Sequence, residues 1–147
     1  LTPDGPKVIE YNCRFGDPET QVVLPRLDGD LYEIFDAVID ERLDEVDIKW
    51  NDNAAVCVVL ASGGYPQQYK TGYEIDGLKQ AESLGALLFH AGTKKDGDKI
   101  LTAGGRVLGV TAVGENLSDA IDKAYTYLKP ISFKDMHYRT DIGIKKQ

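Results

Sequence analysis

The sequence predicts an α+β fold, in which a helical N-terminal part precedes a small, mainly antiparallel β-sheet that carries two helices. Three observations predict it. Apolar residues recur at helical spacing between Leu31 and Ile39. A continuous, valine-rich run at residues 54–62 is typical of a strand buried on both faces. Short apolar runs separated by glycine turns then continue to residue 113, as they do in antiparallel sheets.

The first predicted elements are a turn, a strand and the start of a helix. Residues 2–6 have the composition of a turn, because proline fixes φ and glycine accepts positive φ. Residues 7–12 then predict the returning strand of a hairpin. Asp17 is predicted to cap a short helix, with Pro18 at its first position and Glu19 in its first turn.

Two helices and a connector follow before the sheet. The short helix is predicted at residues 21–27, with an interruption at Pro25. A longer amphipathic helix is predicted from Leu31 to about Leu43. The polar connector after it contains a short strand at residues 48–50.

The remaining elements are inferred from apolar runs, glycine turns and helix caps. Gly85 is predicted to close a short helix, and Gly109 to mark a bulge or a close backbone approach. Asn116 is predicted to cap the last helix, which Pro130 stops. The predicted ranges are a helix at 79–84, a strand at 87–92, a hairpin turn at 94–97, strands at 99–102 and 106–113, a helix at 117–128 and a loop-rich tail at 132–147.

Length and charge narrow the class of protein. A chain of 147 residues fits a single domain, and its net charge is −7, from 17 basic and 24 acidic residues. This balance argues against a general binder of nucleic acid or anionic membranes, which needs a basic face. The sequence has no apolar run of the roughly 20 residues that cross a bilayer, so we expect no membrane partner.

The cysteines indicate the redox state of the compartment, and the methionine indicates whether the chain is part of a longer protein. Cys13 and Cys57, the only cysteines, form neither a disulfide framework nor a zinc pattern. Two free thiols favour a reducing compartment, so we expect a cytoplasmic protein. Met136 is the only methionine, so we also expect that the chain is a piece of a longer protein.

Polar chemistry is concentrated at residues 8–21. If residues 7–12 form a strand, Glu10 and Asn12 point to the same face, because side chains alternate along a strand. Two oxygen ligands suit Mg²⁺, which usually takes only one or two protein ligands together with substrate phosphates. From the spacing alone, two polar residues on the solvent face of an edge strand are the simpler interpretation.

The residues after this strand allow both a structural and a functional interpretation. Asp17 and Glu19 fit the cap and the first turn of a helix, whose free N–H groups can also hold a polar substrate. Arg14 is placed either to bind that substrate or to pair with Asp17 or Glu19.

Five motifs resemble one enzyme family. The string from Glu10 to Gln21 is similar to the signature of the glycinamide ribonucleotide synthetase (phosphoribosylamine–glycine ligase) family, whose members are ATP-grasp enzymes of purine biosynthesis. The later motifs occur in the same order in that family, so the resemblance covers essentially the whole chain. They are Ala61-Ser62-Gly63-Gly64-Tyr65-Pro66, Phe89-His90-Ala91-Gly92-Thr93, Gly104-Gly105-Arg106-Val107-Leu108 and Tyr138-Arg139-Thr140-Asp141-Ile142-Gly143.

The resemblance implies a reaction and a domain division. The reaction joins glycine to 5-phosphoribosylamine with ATP, through a glycyl phosphate, and gives ADP and phosphate. Residues 1–50 would be the C-terminal end of the ATP-grasp domain, and residues 51–147 the antiparallel sheet domain of the ligase. The missing N-terminal part of the same protein, which would be this chain's partner, would hold most of the ATP site, so this chain alone is expected to be inactive.

The resemblance also assigns site residues. Glu10 and Asn12 match the pair that binds Mg²⁺ or Mn²⁺ against the ATP phosphates. Arg14, Asp17 and Glu19 match a loop that faces the substrates, and they are candidates for substrate contact.

Weaker candidates lie further along the chain. Arg106 begins a strand beside Gly105 and is placed to face the cleft, whereas His90 is better explained as a packed or hydrogen-bonded histidine. Arg139 and Asp141 suggest a structural ion pair. Two alternatives to the ligase remain open: a non-catalytic folding or association domain, and a fragment of another ATP-grasp carboxylate–amine ligase.

Overall fold

The computed structural model describes residues 2–144, and the α+β prediction is confirmed. The helices are α1 (Thr20–Val23), α2 (Leu31–Ile39), α3 (Leu78–Ser83) and α4 (Leu117–Tyr127). The strands are β1 (Leu27–Asp28), β2 (Lys49–Trp50), β3 (Ala54–Ser62), β4 (Leu87–His90), β5 (Thr93–Asp96), β6 (Lys99–Thr102), β7 (Arg106–Gly114) and β8 (Met136–His137). Single 3₁₀ turns lie at Leu24–Arg26 and Leu43–Glu45. None of the helices in the described part of the chain is both long enough and apolar enough to span a bilayer.

The central sheet has four antiparallel strands in the order β4-β7-β3-β8. Its centre is the long pair of β3 and β7, in register from Ala54 opposite Gly114 to Leu60 opposite Leu108. The register shifts after Leu60, so the bulge does not lie at Gly109. Gly109 is instead a point of close approach, because a Cβ there would lie 3.1 Å from Cys57 Sγ.

The core lies between one face of this sheet and α4. Paired residues of antiparallel strands share a face, so Val58 and Val110 lie on the same side, and both are fully buried. Ala120 and Ala124 of α4 are also fully buried, and their small side chains let the helix approach the strands closely. The opposite face of β3 is only half-buried, so the prediction of burial on both faces was too strong. The core residues are Val56, Val58, Leu60, Ile75, Ala81, Ala86, Val107, Leu108, Val110, Ala112, Ala120, Ala124, Leu128, Ile131 and Phe133.

The predicted start of the last helix is confirmed. The Asn116 side chain accepts a hydrogen bond from the Asp119 N–H at 3.0 Å, and Asp119 Oδ2 accepts one from the Glu115 N–H at 3.0 Å. The first bond satisfies an N–H group that the helix start leaves without a partner, and the second ties the residue before the cap to the first turn.

The hairpin turn predicted at residues 94–97 was placed too early. Thr93–Asp96 form β5, which pairs with β6 from Thr93 opposite Thr102 to Asp96 opposite Lys99. The connection is therefore the two residues Gly97 and Asp98, and Gly97 takes φ +57°, which glycine adopts readily.

The strand predicted at residues 7–12 is wrong. This segment is irregular and exposed, with Ile9 98% and Tyr11 82% accessible. A strand needs a neighbour to receive its hydrogen bonds, and no described residue pairs with this segment. Among the described residues, the pairing nearest to it is the bridge between Thr2 and Gly5, which closes the predicted turn on itself.

The predicted bounds of the first two helices also change. The helix at Thr20–Val23 has Glu19 as its N-cap, so Asp17 does not cap it. Helix α2 ends at Ile39, short of the predicted end at Leu43. Glu41 takes φ +55° there, and the Arg42 N–H bonds the Ala37 carbonyl at 2.9 Å, as in a Schellman ending without the usual glycine.

Residues 2–50 have almost no core of their own. Ala37 is their only buried apolar residue, and α2 exposes much of the apolar stripe that its sequence predicts. We call the exposed apolar side chains of this part the N-terminal apolar surface. It comprises Val8, Ile9, Tyr11, Phe15, Val23, Tyr32, Phe35, Val38, Ile39, Leu43, Ile48 and Trp50.

Candidate active site

The polar stretch at residues 10–21 divides into an open segment and a compact turn. In the open segment, Glu10 and Asn12 are both exposed. Asn12 and Arg14 line an open cavity of about 480 Å³ together with Phe15 and Phe35, whose ring centroids are 6.5 Å apart. The predicted candidates for metal and substrate binding therefore lie on an accessible surface.

The compact turn is built around Gly16. Its carbonyl accepts hydrogen bonds from both the Thr20 N–H, at 2.9 Å, and the Thr20 hydroxyl. The Glu19 side chain folds back over Gly16, so that a Cβ on Gly16 would lie 2.3 Å from Glu19 Oε2. Glycine at this position therefore lets the Glu19 carboxylate stay close to the loop.

Asp17 is held by a residue that lies far away in the sequence. Arg106 Nη1 donates to the Asp17 carbonyl at 3.0 Å, and Arg106 Nη2 lies 3.1 Å from Asp17 Oδ2. Gln21 Nε2 donates to the other carboxylate oxygen at 2.7 Å. Asp17 thus connects the start of β7 to α1, which is a role that the predicted helix cap did not include.

Arg14 does not take up the structural role that its sequence context allowed. Its side chain donates to the Phe15 carbonyl at 3.1 Å, and it makes no ion pair with Asp17 or Glu19. Within residues 2–144 its guanidinium is not paired with a carboxylate, which leaves it able to bind an anionic group of a ligand.

Three of the other motifs meet beside this loop. We call this place the glycine corner and define it as Ser62, Tyr65, Gly92, Gly104 and Gly105. Ser62 Oγ donates to the Gly104 carbonyl at 2.9 Å, and the Ser62 N–H to the Gly105 carbonyl at 2.8 Å. A Cβ on Gly105 would lie 2.1 Å from the Tyr65 ring.

The glycine corner fixes the main chain of Arg106. The Gly92 N–H donates to the Arg106 carbonyl at 2.9 Å, and Arg106 is paired with Ala61 across the sheet. The base of the Arg106 side chain is therefore set by backbone contacts on both sides.

The turn and α1 cover the face of the sheet opposite the core. Pro18, Glu19 and Val22 line a cavity of about 270 Å³ with Cys57, and Gln21 lies against Gly109. Burial raises the pKa of the Cys57 thiol, and the nearby Asp17 carboxylate acts in the same direction, while a contact with Thr111 partly offsets them.

Other weaker candidates have local partners. His90 Nδ1 lies 2.9 Å from Thr93 Oγ1, which agrees with a hydrogen-bonded histidine. Arg139 donates to both Asp141 oxygens, at 2.9 and 3.0 Å, so the expected structural ion pair forms.

The described residues do not form a complete metal centre. No group of three or more His, Cys, Asp and Glu side chains within residues 2–144 is placed to hold a metal ion. Glu10 and Asn12 offer exposed carboxylate and amide oxygens, which are the donor type that Mg²⁺ prefers, but they lie in an irregular segment and not on one face of a strand as predicted.

Comparison with known proteins establishes the family. The model of the family described as "Phosphoribosylglycinamide synthetase, C domain" matches residues 55–145. The chain belongs to this family. The sequence resemblance is thereby confirmed, and the alternative of another carboxylate–amine ligase is not supported.

Named relatives of this phosphoribosylglycinamide synthetase family extend the match to nearly the whole chain. The chain is 53% identical over 99% of its length to the trifunctional purine biosynthetic protein adenosine-3 of Gallus gallus, of which it covers 15%. It is 52% identical over 95% of its length to the phosphoribosylamine–glycine ligase of a Synechocystis strain, of which it covers 33%. The chain therefore spans about a third of the ligase that it matches.

A solved structure agrees with the family assignment. The crystal structure of phosphoribosylamine–glycine ligase from Thermotoga maritima matches 96% of this chain with a TM-score of 0.75 and 34% identity. The chain covers 34% of that structure.

Proposed function

We propose that the chain is the C-terminal part of an ATP-dependent phosphoribosylamine–glycine ligase of purine biosynthesis. The observation that carries this proposal is the match to such ligases over at least 95% of the chain, which includes nearly all of the loop and sheet described above. The proposed reaction forms a glycyl phosphate from ATP and glycine, and the amine of 5-phosphoribosylamine then displaces the phosphate. The chain alone holds only one wall of the site and is expected to be inactive.

Arg14, Asp17 and Glu19 are proposed to act on the substrates by orientation and charge. The unpaired guanidinium of Arg14 suits a carboxylate or phosphate, because it offers a planar set of donors. The Glu19 carboxylate, held over Gly16, suits a cationic amine. In a transfer of this type most of the protein's contribution is positioning and charge neutralisation.

Glu10 and Asn12 are proposed to hold the Mg²⁺ or Mn²⁺ ion that accompanies ATP. Their exposure and hard oxygen donors support this assignment. When bound, the ion would neutralise negative charge on the phosphates. The protein's part is to present the two oxygens on the exposed, irregular segment that precedes Gly16.

The preceding part of the ligase is the proposed partner of residues 2–50. Exposed apolar patches of this extent are uncommon on monomeric proteins unless they form an interface. The N-terminal apolar surface belongs to the part of the chain that has almost no core, which supports the proposal that the rest of the ATP-grasp domain covers it.

A cytoplasmic location is also proposed. Cys13 is an exposed free thiol and Cys57 is also free, and free thiols persist best in a reducing compartment.

A folding and association domain is the second candidate function. The self-contained core within residues 56–133 favours it, because this part has the packing needed to fold by itself. In that case the loop at residues 10–21 would contribute nothing to the reaction.

The first experiment measures ADP formation by the full-length ligase that carries this chain. We expect continuous turnover to ADP only when glycine and 5-phosphoribosylamine are both present, because the amine must consume the glycyl phosphate before a second ATP can react, and we expect no ADP with the 147-residue chain alone. ADP formation by the full-length protein that does not depend on glycine would overturn the proposed function.

The second experiment separates the two candidate functions through Glu10. In the full-length ligase, Glu10→Ala should lower kcat by about tenfold or more and raise the Mg²⁺ concentration needed for half-maximal rate. Glu82→Ala, which removes an exposed carboxylate in α3, is the matched control and should change neither value. An unchanged Mg²⁺ dependence in Glu10→Ala would remove Glu10 from the ligand role and favour the association domain.

A further inference from the structure

Arg106 contacts the loop at residues 16–21 through two different acceptor groups of Asp17. One guanidinium contacts both the carbonyl and the carboxylate of Asp17, at 3.0 and 3.1 Å. The planar fork of arginine can satisfy two acceptors at once, so the contact fixes the orientation of the Asp17 backbone as well as its charge.

The Arg106 side chain extends from a main chain that is held on both sides. The Arg106 main chain is bonded to Gly92 and paired with Ala61, and the neighbouring Gly105 has no free space on the side of Tyr65. The loop, by contrast, lies on the face of the sheet opposite the core, directly after an irregular and exposed segment. A displacement between the two is therefore expected to move the loop, while the corner stays in place.

We propose that Arg106 is a positioning residue for the ligase reaction, which holds the loop at residues 16–21 so that Glu19, and Arg14 just before the loop, face the substrates. This inference rests on the proposed function. It assigns a catalytic purpose to the C-terminal sheet, whose glycine corner sets the position of Arg106.

The solvent exposure of the Arg106–Asp17 pair makes it possible to distinguish a positioning role from a contribution to global stability. The Arg106 and Asp17 side chains are 41% and 52% exposed, and ion pairs of this exposure contribute little to global stability. Loss of Arg106 should therefore appear in the reaction rate and in the local opening of the loop, with little change in the unfolding of the whole protein.

The activity test uses Arg106→Ala, Arg106→Lys and a matched control in the full-length ligase. We expect Arg106→Ala to lower kcat/KM about 10- to 100-fold, because small misplacements of catalytic groups have effects of this size. Arg106→Lys keeps the charge but not the fork, and it should recover only part of the rate. Arg139→Ala removes another arginine–aspartate pair on the same sheet domain and should leave the rate unchanged.

A double-mutant cycle tests whether Arg106 acts through Asp17. In an Asp17→Ala background, which removes the carboxylate and leaves only the carbonyl as an acceptor, Arg106→Ala should have a smaller effect than in the wild type, because part of the same connection is already lost. Equal effects in both backgrounds would overturn the proposal that Arg106 acts by positioning Asp17.

A second readout does not depend on activity. In the 147-residue chain with Cys13→Ser, the only thiol is Cys57, which is half-buried and lines the same cavity as Pro18, Glu19 and Val22. Opening of the loop should expose it, so Arg106→Ala should speed alkylation of Cys57 by iodoacetamide about fivefold, and Arg139→Ala should not. Circular dichroism and thermal unfolding verify that both variants remain folded.

The outcomes of the two tests are distinguishable. A full-length ligase without glycine-dependent ADP formation would refute the proposed function, and the alkylation rates would still report on the loop. An active ligase whose Arg106→Ala variant keeps the wild-type rate would refute the positioning role and leave the proposed function intact. Faster alkylation combined with a 10- to 100-fold lower rate in Arg106→Ala would support both.

Discussion

Gly92 and Gly104 pack against each other with no space for a side chain between them. A Cβ on Gly92 would lie 2.6 Å from the Gly104 Cα and 2.6 Å from the Arg106 carbonyl oxygen. Both obstacles are backbone atoms, which cannot rotate away as the end of a long side chain can. The contact brings the loop after β4 against the start of β7 and so sets the position of Arg106.

The first prediction concerns this contact. Gly92→Ala should lower the free energy of unfolding by about 1–3 kcal/mol, because the added methyl group must push the loop after β4 away from the start of β7. Urea unfolding of the 147-residue chain measures this change. Gly29→Ala is the matched control, since a Cβ there meets nothing within 4 Å and should change stability by less than about 0.5 kcal/mol. Equal stabilities of the two variants would contradict the close packing.

The sheet and the last helix were predictable because their signals are local. The valine-rich run predicted β3 at its observed bounds, and Asn116 predicted the start of α4. The Asp30 side chain caps α2 by accepting from the Tyr32 N–H at 2.8 Å, and an aspartate directly before an apolar helical stripe was a signal that the sequence analysis missed.

The connection between the candidate site and the sheet was not predictable in the same way. Asp17 and Arg106 are 89 residues apart, and neither position has a local pattern that indicates its partner. Asp17 followed by proline is typical of a helix start, so the local rule favoured a cap where the structure has an ion pair. The glycine turns of the later motifs gave no sign that they meet at one corner.

The prediction of a strand at residues 7–12 was wrong for a different reason. Its alternating sequence is suited to a strand, but a strand forms only where a second strand pairs with it. No described residue does so, and Ile9 is left 98% exposed. A sequence pattern predicts the conformation that a segment prefers, and it does not supply the neighbour that stabilises the segment.

The second prediction concerns the pH dependence of stability through Asp119. A hydrogen bond from Lys123, at 2.7 Å, and one from the Glu115 N–H lower the pKa of Asp119 in the folded protein. The folded state then binds a proton less readily than the unfolded state, whose aspartates have a pKa of about 3.9. The stabilisation is therefore fully present above that pH, and it is lost as the pH falls through the lowered pKa.

Substitution of Asp119 measures this dependence. Asp119→Asn should destabilise the protein at pH 7, and the difference from the wild type should shrink progressively as the pH falls below about 4. Thermal unfolding across this range records it. Asp122→Asn, which removes an exposed carboxylate from the same helix, should change stability by less than about 0.5 kcal/mol at each pH. A destabilisation by Asp119→Asn that stays constant from pH 7 to pH 3 would show that the carboxylate charge is not its source.

The last prediction concerns the covering of the N-terminal apolar surface. Ile39 is 78% exposed at the end of α2, so Ile39→Glu should change the stability of the 147-residue chain by less than about 0.5 kcal/mol. In the full-length ligase, the same change should lower stability by about 2 kcal/mol or more if the preceding part covers this surface, because it would bury an unpaired charge. Leu84→Glu controls for the loss of an exposed apolar residue outside this surface, and it should have the same small effect in both proteins.

Hydrogen exchange of α2 gives an independent measurement, since covered amides should exchange more slowly in the full-length ligase. If Ile39→Glu is equally mild in both proteins and α2 exchanges at the same rate, Ile39 is not part of the interface, and the preceding part of the ligase must contact other residues of the surface.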